Sequence, residues 1–267
     1  MLTIILAAGQ GTRLRPFTNH QPKCMVPLAN KPLLHWQFET LRQCNIDSNI
    51  IVVGGYQIEN LIAANAKILL NPDYEHTNMV ATLFCAREYM KAGMDLLISY
   101  GDIVFEPKVL QAVLCSDAPV SIAADKNWRR LWKLRMEDPL TDAETFQMDA
   151  ENRVIELGKK PNSYDQIKAQ YIGLIRIRKD YITRLLNVYD EMDRTALFDG
   201  KDFNNMYMTS FLQHLINLNW DVRACLIQNG WLEIDTVEDK NLYEKMVIQG
   251  ELKSYCDLDR IAATTAV

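Results

Sequence analysis

Glycine is scarce in this chain, 11 of 267 residues or about 4%, against a usual share near 7%. Prolines number only 9, and together the two counts exclude a collagenous, linker-rich or low-complexity chain. Histidine is rarer still. His20, His35, His76 and His214 are scattered, so neither a His-metal cluster nor a Ser/His pairing is visible. The six cysteines (Cys24, Cys44, Cys85, Cys115, Cys225, Cys256) form no CxxC pair, which leaves buried thiols of a reducing compartment as the reading. Positive charge is in deficit, with 29 Lys and Arg against 34 Asp and Glu for a net charge of −5. That balance argues against a nucleic-acid or anionic-membrane surface, though a locally basic pocket can still take a polyanion. No stretch approaches the roughly 18 apolar residues of a membrane helix. The opening MLTIILAAG lacks a basic n-region and runs straight into GQGTR, as a strand and loop do and a signal peptide does not. A soluble, cytoplasmic protein is expected.

What is present is a dense α/β pattern. Residues 2–7 (LTIILA) form a buried strand, Lys31–Cys44 a helix, Asn49–Val53 a strand closed by Gly54-Gly55, Gln57–Ala64 a helix and Lys67–Leu70 a strand. Met79–Met90 reads as a helix and Asp95–Ser99 as a strand ending at Tyr100-Gly101-Asp102. Strands alternating with helices predict a doubly wound, mostly parallel, Rossmann-like sheet. From about residue 119 shorter β-like runs take over (Val120–Ala124, Trp132–Met136, Arg153–Leu157, Gln170–Ile177). Helices near Asp180–Met192 and Met206–Leu218, a strand Val222–Leu226 and a helix near Val237–Gln249 follow. With no repeat or linker, residues 1–267 are expected to be one domain in two parts: a nucleotide-binding half to about 118, a smaller β-rich acceptor-binding half to about 250, and a tail from 251 ending in a frayed IAATTAV.

The chemistry concentrates in residues 6–34, LAAGQGTRLRPFTNHQPKCMVPLANKPLL. Gly9-x-Gly11 follows a strand, but the third glycine of a dinucleotide fingerprint is replaced by Leu14, and no P-loop pattern occurs. A small-residue loop with open N–H groups remains, followed by Arg13, Arg15 and Lys23, and such a loop can wrap a triphosphate. Asp102 stands at a strand's carboxyl edge, where open α/β sheets place ligands, and Glu233 and Asp235 at i and i+2 of an extended run share a face.

This segment resembles the motif of the sugar-phosphate and choline-phosphate nucleotidyltransferases, LAAGxGxRLxPxT…PKxMVP…KP[LI]. Leu6 to Pro32 match it nearly position for position, including Thr18, Pro22-Lys23, Met25, Pro27 and Lys31-Pro32. The resemblance implies that Leu6, Ala7, Ala8, Gly9, Gly11, Thr12, Arg13, Lys23, Gly54 and Gly101 hold the nucleotide, with Lys23 and Arg13 catalytic through charge neutralisation. It implies a Mg²⁺ ion held by Asp102 and Asp235, with Glu233 as a further candidate ligand. Glu238-Asp239 read instead as a helix first turn. In this reaction an ionised phosphoryl oxygen attacks the α-phosphorus and pyrophosphate leaves, so no general base is required.

For the acceptor, ELGKKP (156–161) and QYIG (170–173) resemble the family's EKP and G-[LI]-Y segments, implying Lys160 at the phosphoryl group, with Lys159 able to swap, and Gly173 beside it. Trp128, Arg129 and Tyr171 are further candidates for the acceptor site, alongside Asp142 and Glu144 facing an ammonium group. Trp128, Trp132, Tyr171 and Tyr207 are candidates to box it, although packing alone accounts for most such aromatics. The basic stretch 126–135 reads either as a solvated hairpin or subunit contact, or as an acceptor lid with phosphate-binding cations and aromatic walls. TNMVAT (77–82), DPLTDAET (138–145), QYIGL (170–174) and NNMYMTSFLQ (204–213) resemble a narrower group, the cytidylyltransferases acting on phosphocholine, 2-aminoethylphosphonate or the phosphoglutamine of capsular phosphoramidate synthesis. That likeness implies CTP and a small amine-bearing phosphoryl acceptor. A sugar-1-phosphate nucleotidyltransferase using dTTP, UTP or GTP, and a non-catalytic nucleotide sensor, remain alternatives, and homo-oligomerisation stays open.

Overall fold

A computed structural model describes residues 1–262. The first half runs β1 (Leu2–Ala7), a short hairpin of β2 (Pro27–Leu28) and β3 (Lys31–Pro32), α1 (Leu33–Gln43), β4 (Ile50–Gly54), β5 (Lys67–Leu70), α2 (Met79–Phe84), β6 (Leu96–Tyr100), β7 (Ile103–Phe105) and α3 (Pro107–Leu114). The second runs β8 (Val120–Asp125), α4 (Trp128–Arg135), β9 (Phe146–Met148), β10 (Val154–Leu157), β11 (Gln170–Ile177), α5 (Ile182–Glu191), α6 (Met208–Asn217), β12 (Val222–Ile227), β13 (Trp231–Glu233), α7 (Val237–Gln249) and α8 (Leu258–Ala262).

Seven strands form one sheet in the order β12-β8-β11-β6-β1-β4-β5. Every pairing is parallel except those of β11, which runs antiparallel to both β6 and β8. The alternation of strand side chains explains the layering: Ile5 and Ala7 of β1 enter one buried cluster, while Leu2, Ile4 and Leu6 enter the other. Helices cover both faces, so β1 is apolar at nearly every position rather than at alternate ones. The expected doubly wound, mainly parallel sheet is therefore observed.

Four expectations change. Trp132–Met136 is no strand but the end of helix α4, because Trp128, Leu131 and Trp132 fall at i, i+3 and i+4 and are buried together. Gln57–Ala64 makes only a 3₁₀ turn, Ile58–Asn60, and the helix expected at Met79–Met90 ends at Phe84 with a separate turn at Arg87–Tyr89. The IAATTAV expected to fray begins on a packed residue: Ile261 is buried, as Leu252 and Cys256 before it are, and Gln43 donates to the carbonyls of Arg260 and Ile261. Residues 263–267 of the expected frayed tail lie outside the described residues.

Candidate active site

The carboxyl ends of β1 and β6 meet because Gly101 donates its N–H to the Leu6 carbonyl at 2.8 Å. A Cβ at Gly101 would sit 2.8 Å from that same oxygen, so only glycine permits the approach that delivers Asp102 beside the loop after β1. The loop itself is closed by Thr18, which is fully buried and donates to the Gly11 carbonyl at 2.8 Å. That contact gives the threonine of the motif a structural duty. Lys23 opens a 3₁₀ turn (Lys23–Met25) that returns its side chain toward Asp102.

Pairing of β13 with β7 sets Glu233 opposite Ile103, and the Ile234 N–H donates to the Asp102 carbonyl at 3.3 Å. Asp102 and Asp235, 133 positions apart in sequence, are thereby joined. Asp102, Glu233 and Asp235 each present a carboxylate oxygen within 4.8 Å of the others. Asp102 Oδ1 is buried with no hydrogen-bond partner, as a carboxylate oxygen kept for a cation is. The set is all hard oxygen donors, which suits a divalent cation of the Mg²⁺ type.

Two recesses abut across this cluster. The first, of about 620 Å³, is lined by Leu6, Ala7, Ala8, Gly9, Lys23, Gly101 and Asp102 on one side and by Tyr74, Thr77, Asn78, Met79 and Thr82 on the other. The second, of about 740 Å³, is lined by Trp132, Asp142, Glu144, Gln170, Tyr171, Gly173, Tyr207, Glu233 and Asp235 among others. Met79 and Tyr100 belong to both walls.

The electrostatics are tightly coupled. Lys23 Nζ donates to Asp102 Oδ2 at 2.6 Å and to Asp235 Oδ1, and Arg13 Nη2 lies 3.3 Å from Asp235 Oδ2. Burial alone lowers the pKa of Lys23, but Asp102, Asp235 and Glu233 outweigh it and hold the ammonium above the ordinary lysine value. Burial pushes Asp235 up, and Lys23, Arg13 and Arg135 more than reverse it, so this carboxyl lies below its usual range. Glu233 is pushed up to about 8 by burial and by Asp235, against the pull of Arg135. In the second recess burial, then Asp142 and Asp199, raise Glu144 to about 7.

Of the residues singled out from sequence, Leu6, Ala7, Ala8, Gly9, Lys23, Gly101 and Asp102 are brought to the first recess, and Asp142, Glu144, Tyr171, Gly173, Glu233 and Asp235 to the second. Gly11 and Thr12 sit in the turn that leads to Arg13, itself largely exposed. Gly54 does not reach the recess: its carbonyl accepts from the Asn71 N–H at 2.8 Å, and it is Gly55 that leaves room for Tyr74. Lys160 lines neither recess, since its ammonium donates to the Leu140 and Thr141 carbonyls, both at 2.6 Å, and so anchors the turn before Asp142. Lys159 turns to Glu156. Arg129 lies over the Tyr164 ring at 3.7 Å, and Trp128 is buried against Trp132 and Tyr164. Sequence reasoning missed the first recess's far wall and Arg135. The wall's signal was the TNMVAT run, read as a mark of kinship rather than as a site.

The site thus sets Lys23 and Arg13 beside paired carboxylates between two recesses. The sequence matches the MobA-like NTP transferase domain over residues 3–155, and the chain belongs to that family. It is 43% identical over 248 residues to the CTP:phosphoglutamine cytidylyltransferase of Campylobacter jejuni, covering 90% of this chain and 97% of that relative. Its fold is similar to the inositol-1-phosphate CTP transferase from T. maritima, with a TM-score of 0.70, 20% identity and coverage of 95% and 96% of the two chains. It is also similar to the CTP:phosphocholine cytidylyltransferase from Streptococcus pneumoniae, with a TM-score of 0.65, 20% identity and coverage of 92% and 98%.

Proposed function

We propose that this enzyme is a Mg²⁺-dependent cytidylyltransferase that joins the cytidylyl group of CTP to a small phosphoryl acceptor bearing an amine, releasing pyrophosphate. The observation that carries the acceptor class is the pair Asp142 and Glu144 in the second recess, beside the aromatic groups of Trp132, Tyr171 and Tyr207. The charges that bear most on Glu144 are acidic, and a buried carboxylate so placed gains most from a cationic ligand. The Campylobacter jejuni relative, over nearly its whole length, supports phosphoglutamine within that class.

The nucleotide occupies the first recess, its phosphates beside the loop after β1. Arg13 and Lys23 neutralise charge that builds on the phosphates as the acceptor's phosphoryl oxygen attacks the α-phosphorus and pyrophosphate departs. Asp102 and Asp235 would hold the Mg²⁺ ion, which would supply electrostatic stabilisation to the phosphates. Glu144 and Asp142 orient the acceptor by its amine, so that its phosphoryl end faces the carboxylate cluster. We place the reaction in the cytoplasm and, from the resemblance to the enzymes of capsular phosphoramidate synthesis, its product among the precursors of cell-surface polysaccharide.

Pyrophosphate release, measured with each NTP against a panel of phosphoglutamine, phosphocholine, 2-aminoethylphosphonate and glucose 1-phosphate, tests the reading. Turnover with CTP and an amine-bearing acceptor is expected. Turnover with dTTP and glucose 1-phosphate, and none with CTP, would overturn it.

A further inference from the structure

The second recess is acidic, yet it offers an anion one place to sit. Its lining holds Asp142, Glu144, Glu233 and Asp235 but no lysine or arginine, so an anionic group there is met only by neutral donors. Helix α6 starts in this wall, with Tyr207 as N-cap and Met208 and Thr209 as its first two residues. No side chain caps it, and the first bond to close the helix runs from the Phe211 N–H to the Tyr207 carbonyl at 3.1 Å. The N–H groups of Met208, Thr209 and Ser210 lie ahead of that bond and carry the positive end of the helix dipole. Two hydroxyls of the same turn are also uncommitted. Thr209 lines the recess at 6% exposure, and its hydroxyl has no hydrogen-bond partner among the described residues. Ser210 Oγ is buried and has none either, although buried hydroxyls normally find one.

This donor cluster stands next to Glu144. The Gly158 N–H donates to the Thr145 carbonyl at 3.0 Å, and a Cβ on Gly158 would sit 2.7 Å from Thr209 Oγ1, so a single glycine separates Thr209 from the residue after Glu144. Gln170 fixes Glu144 in turn, accepting its N–H at 3.0 Å and donating to its carbonyl at 2.5 Å. We propose that the acceptor is an α-amino acid derivative, its ammonium held by Asp142 and Glu144 and its α-carboxylate by the start of α6 and the Thr209 hydroxyl. This proposal rests on the cytidylyltransferase reading above and narrows its acceptor class. An amine and a carboxylate on one carbon require adjoining sites of opposite polarity, and the contact of Gly158 with Thr209 sets such sites side by side. The phosphoryl group, at the other end of the acceptor, is left to face the carboxylate cluster. Phosphocholine and 2-aminoethylphosphonate have no carboxylate and leave the start of α6 unfilled; phosphoglutamine carries both groups.

The test gives the full-length enzyme, with CTP and Mg²⁺, two acceptors that differ only in the carboxylate: phosphoglutamine and phosphorylated 4-aminobutanamide. In the starting enzyme kcat/KM is expected to be about 10²-fold higher for phosphoglutamine. Thr209→Val should shrink that ratio to about tenfold, and Thr209→Ser, which keeps the hydroxyl, should restore it. Equal kcat/KM for the two acceptors in the starting enzyme overturns the proposal, and this arm needs no variant to fold. A Thr209→Val enzyme that loses activity with both acceptors and keeps their ratio also overturns it, because the hydroxyl then serves the phosphoryl group or the fold. Turnover with dTTP and glucose 1-phosphate, and none with CTP and either amine, instead defeats the cytidylyltransferase reading on which the proposal rests.

Discussion

The Lys23 ammonium donates to Asp102 Oδ2 at 2.6 Å, spanning 79 positions of sequence. The same ammonium also contacts Asp235, so the lysine occupies the mouth of the carboxylate cluster that a divalent cation needs. Nucleotide and metal entry must trade this ion pair for phosphate–lysine and metal–carboxylate contacts. Lys23→Met is therefore expected to act in two opposite directions. Turnover falls by about 10²- to 10³-fold as the charge facing the phosphates is lost. Mn²⁺ binding to the nucleotide-free enzyme tightens by about tenfold, because a competing cation is gone. Pyrophosphate release and Mn²⁺ titration measure the two, and unchanged or weaker Mn²⁺ binding would contradict the competition.

Asp102→Asn removes the charge but keeps the shape of a side chain with one buried, unpartnered oxygen. Turnover should be abolished while the circular dichroism spectrum and melting temperature stay close to the parent. Chelation with EDTA should likewise stop pyrophosphate release, and added Mg²⁺ should restore it. Near-normal activity of the Asn variant would remove Asp102 from the metal site.

Glu144 gives the acceptor's binding a pH signature. Its carboxyl is raised to about 7, so lowering pH through 7 protonates it and removes the partner of the acceptor's ammonium. KM for the acceptor should rise as pH falls through that range, by about tenfold per unit at the acid end, with CTP affinity little changed. The acceptor's own phosphoryl group titrates near pH 6, and Glu144→Gln separates the two contributions. In that variant KM is expected to be high throughout and to keep only the phosphoryl dependence; an unaltered profile would take Glu144 out of acceptor recognition.

Gly173 lies at φ 84°, and a Cβ there would come within 2.5 Å of the Tyr100 ring. Tyr100 borders both recesses, so the ring cannot shift without deforming them. Gly173→Ala should cost about 2–4 kcal/mol, combining left-handed backbone strain with overpacking. Scanning calorimetry should show a fall of about 4–10 °C. Gly93→Ala, at φ 87° but in open space, carries only the backbone part and should fall less.

Much of the nucleotide side was legible in sequence because its motif is local: strand, loop, Thr18 clamp and Lys23 all lie within two dozen residues, and Asp102 directly follows a strand. Asp235 was reachable because strand geometry pairs i with i+2. Helix α4 was misread because WKLRM alternates like a strand when viewed alone. Extending the window to Trp128, Leu131, Trp132 and Arg135 gives the i, i+3, i+4, i+7 spacing of a helix face, with an arginine where an apolar residue belongs. That anomaly was the available signal for a buried charge. Lys160 shows the opposite limit. Its motif position was recognisable, but which way a long flexible side chain turns depends on carbonyls of the 139–141 turn that no local pattern specifies.

Strand β11 has one further consequence. It alone stitches β6 to β8, so the sheet's left and right wings are continuous only through a segment made some seventy residues after β6. During synthesis, a chain that has emerged only to residue 118 carries β6 with one side unpaired, an open template for another chain's strand. The late arrival of Gln170–Ile177 seals that edge. A nascent or truncated first half is thus expected to be sticky, and severing the protein between its two halves should yield aggregate rather than a small nucleotide-binding module.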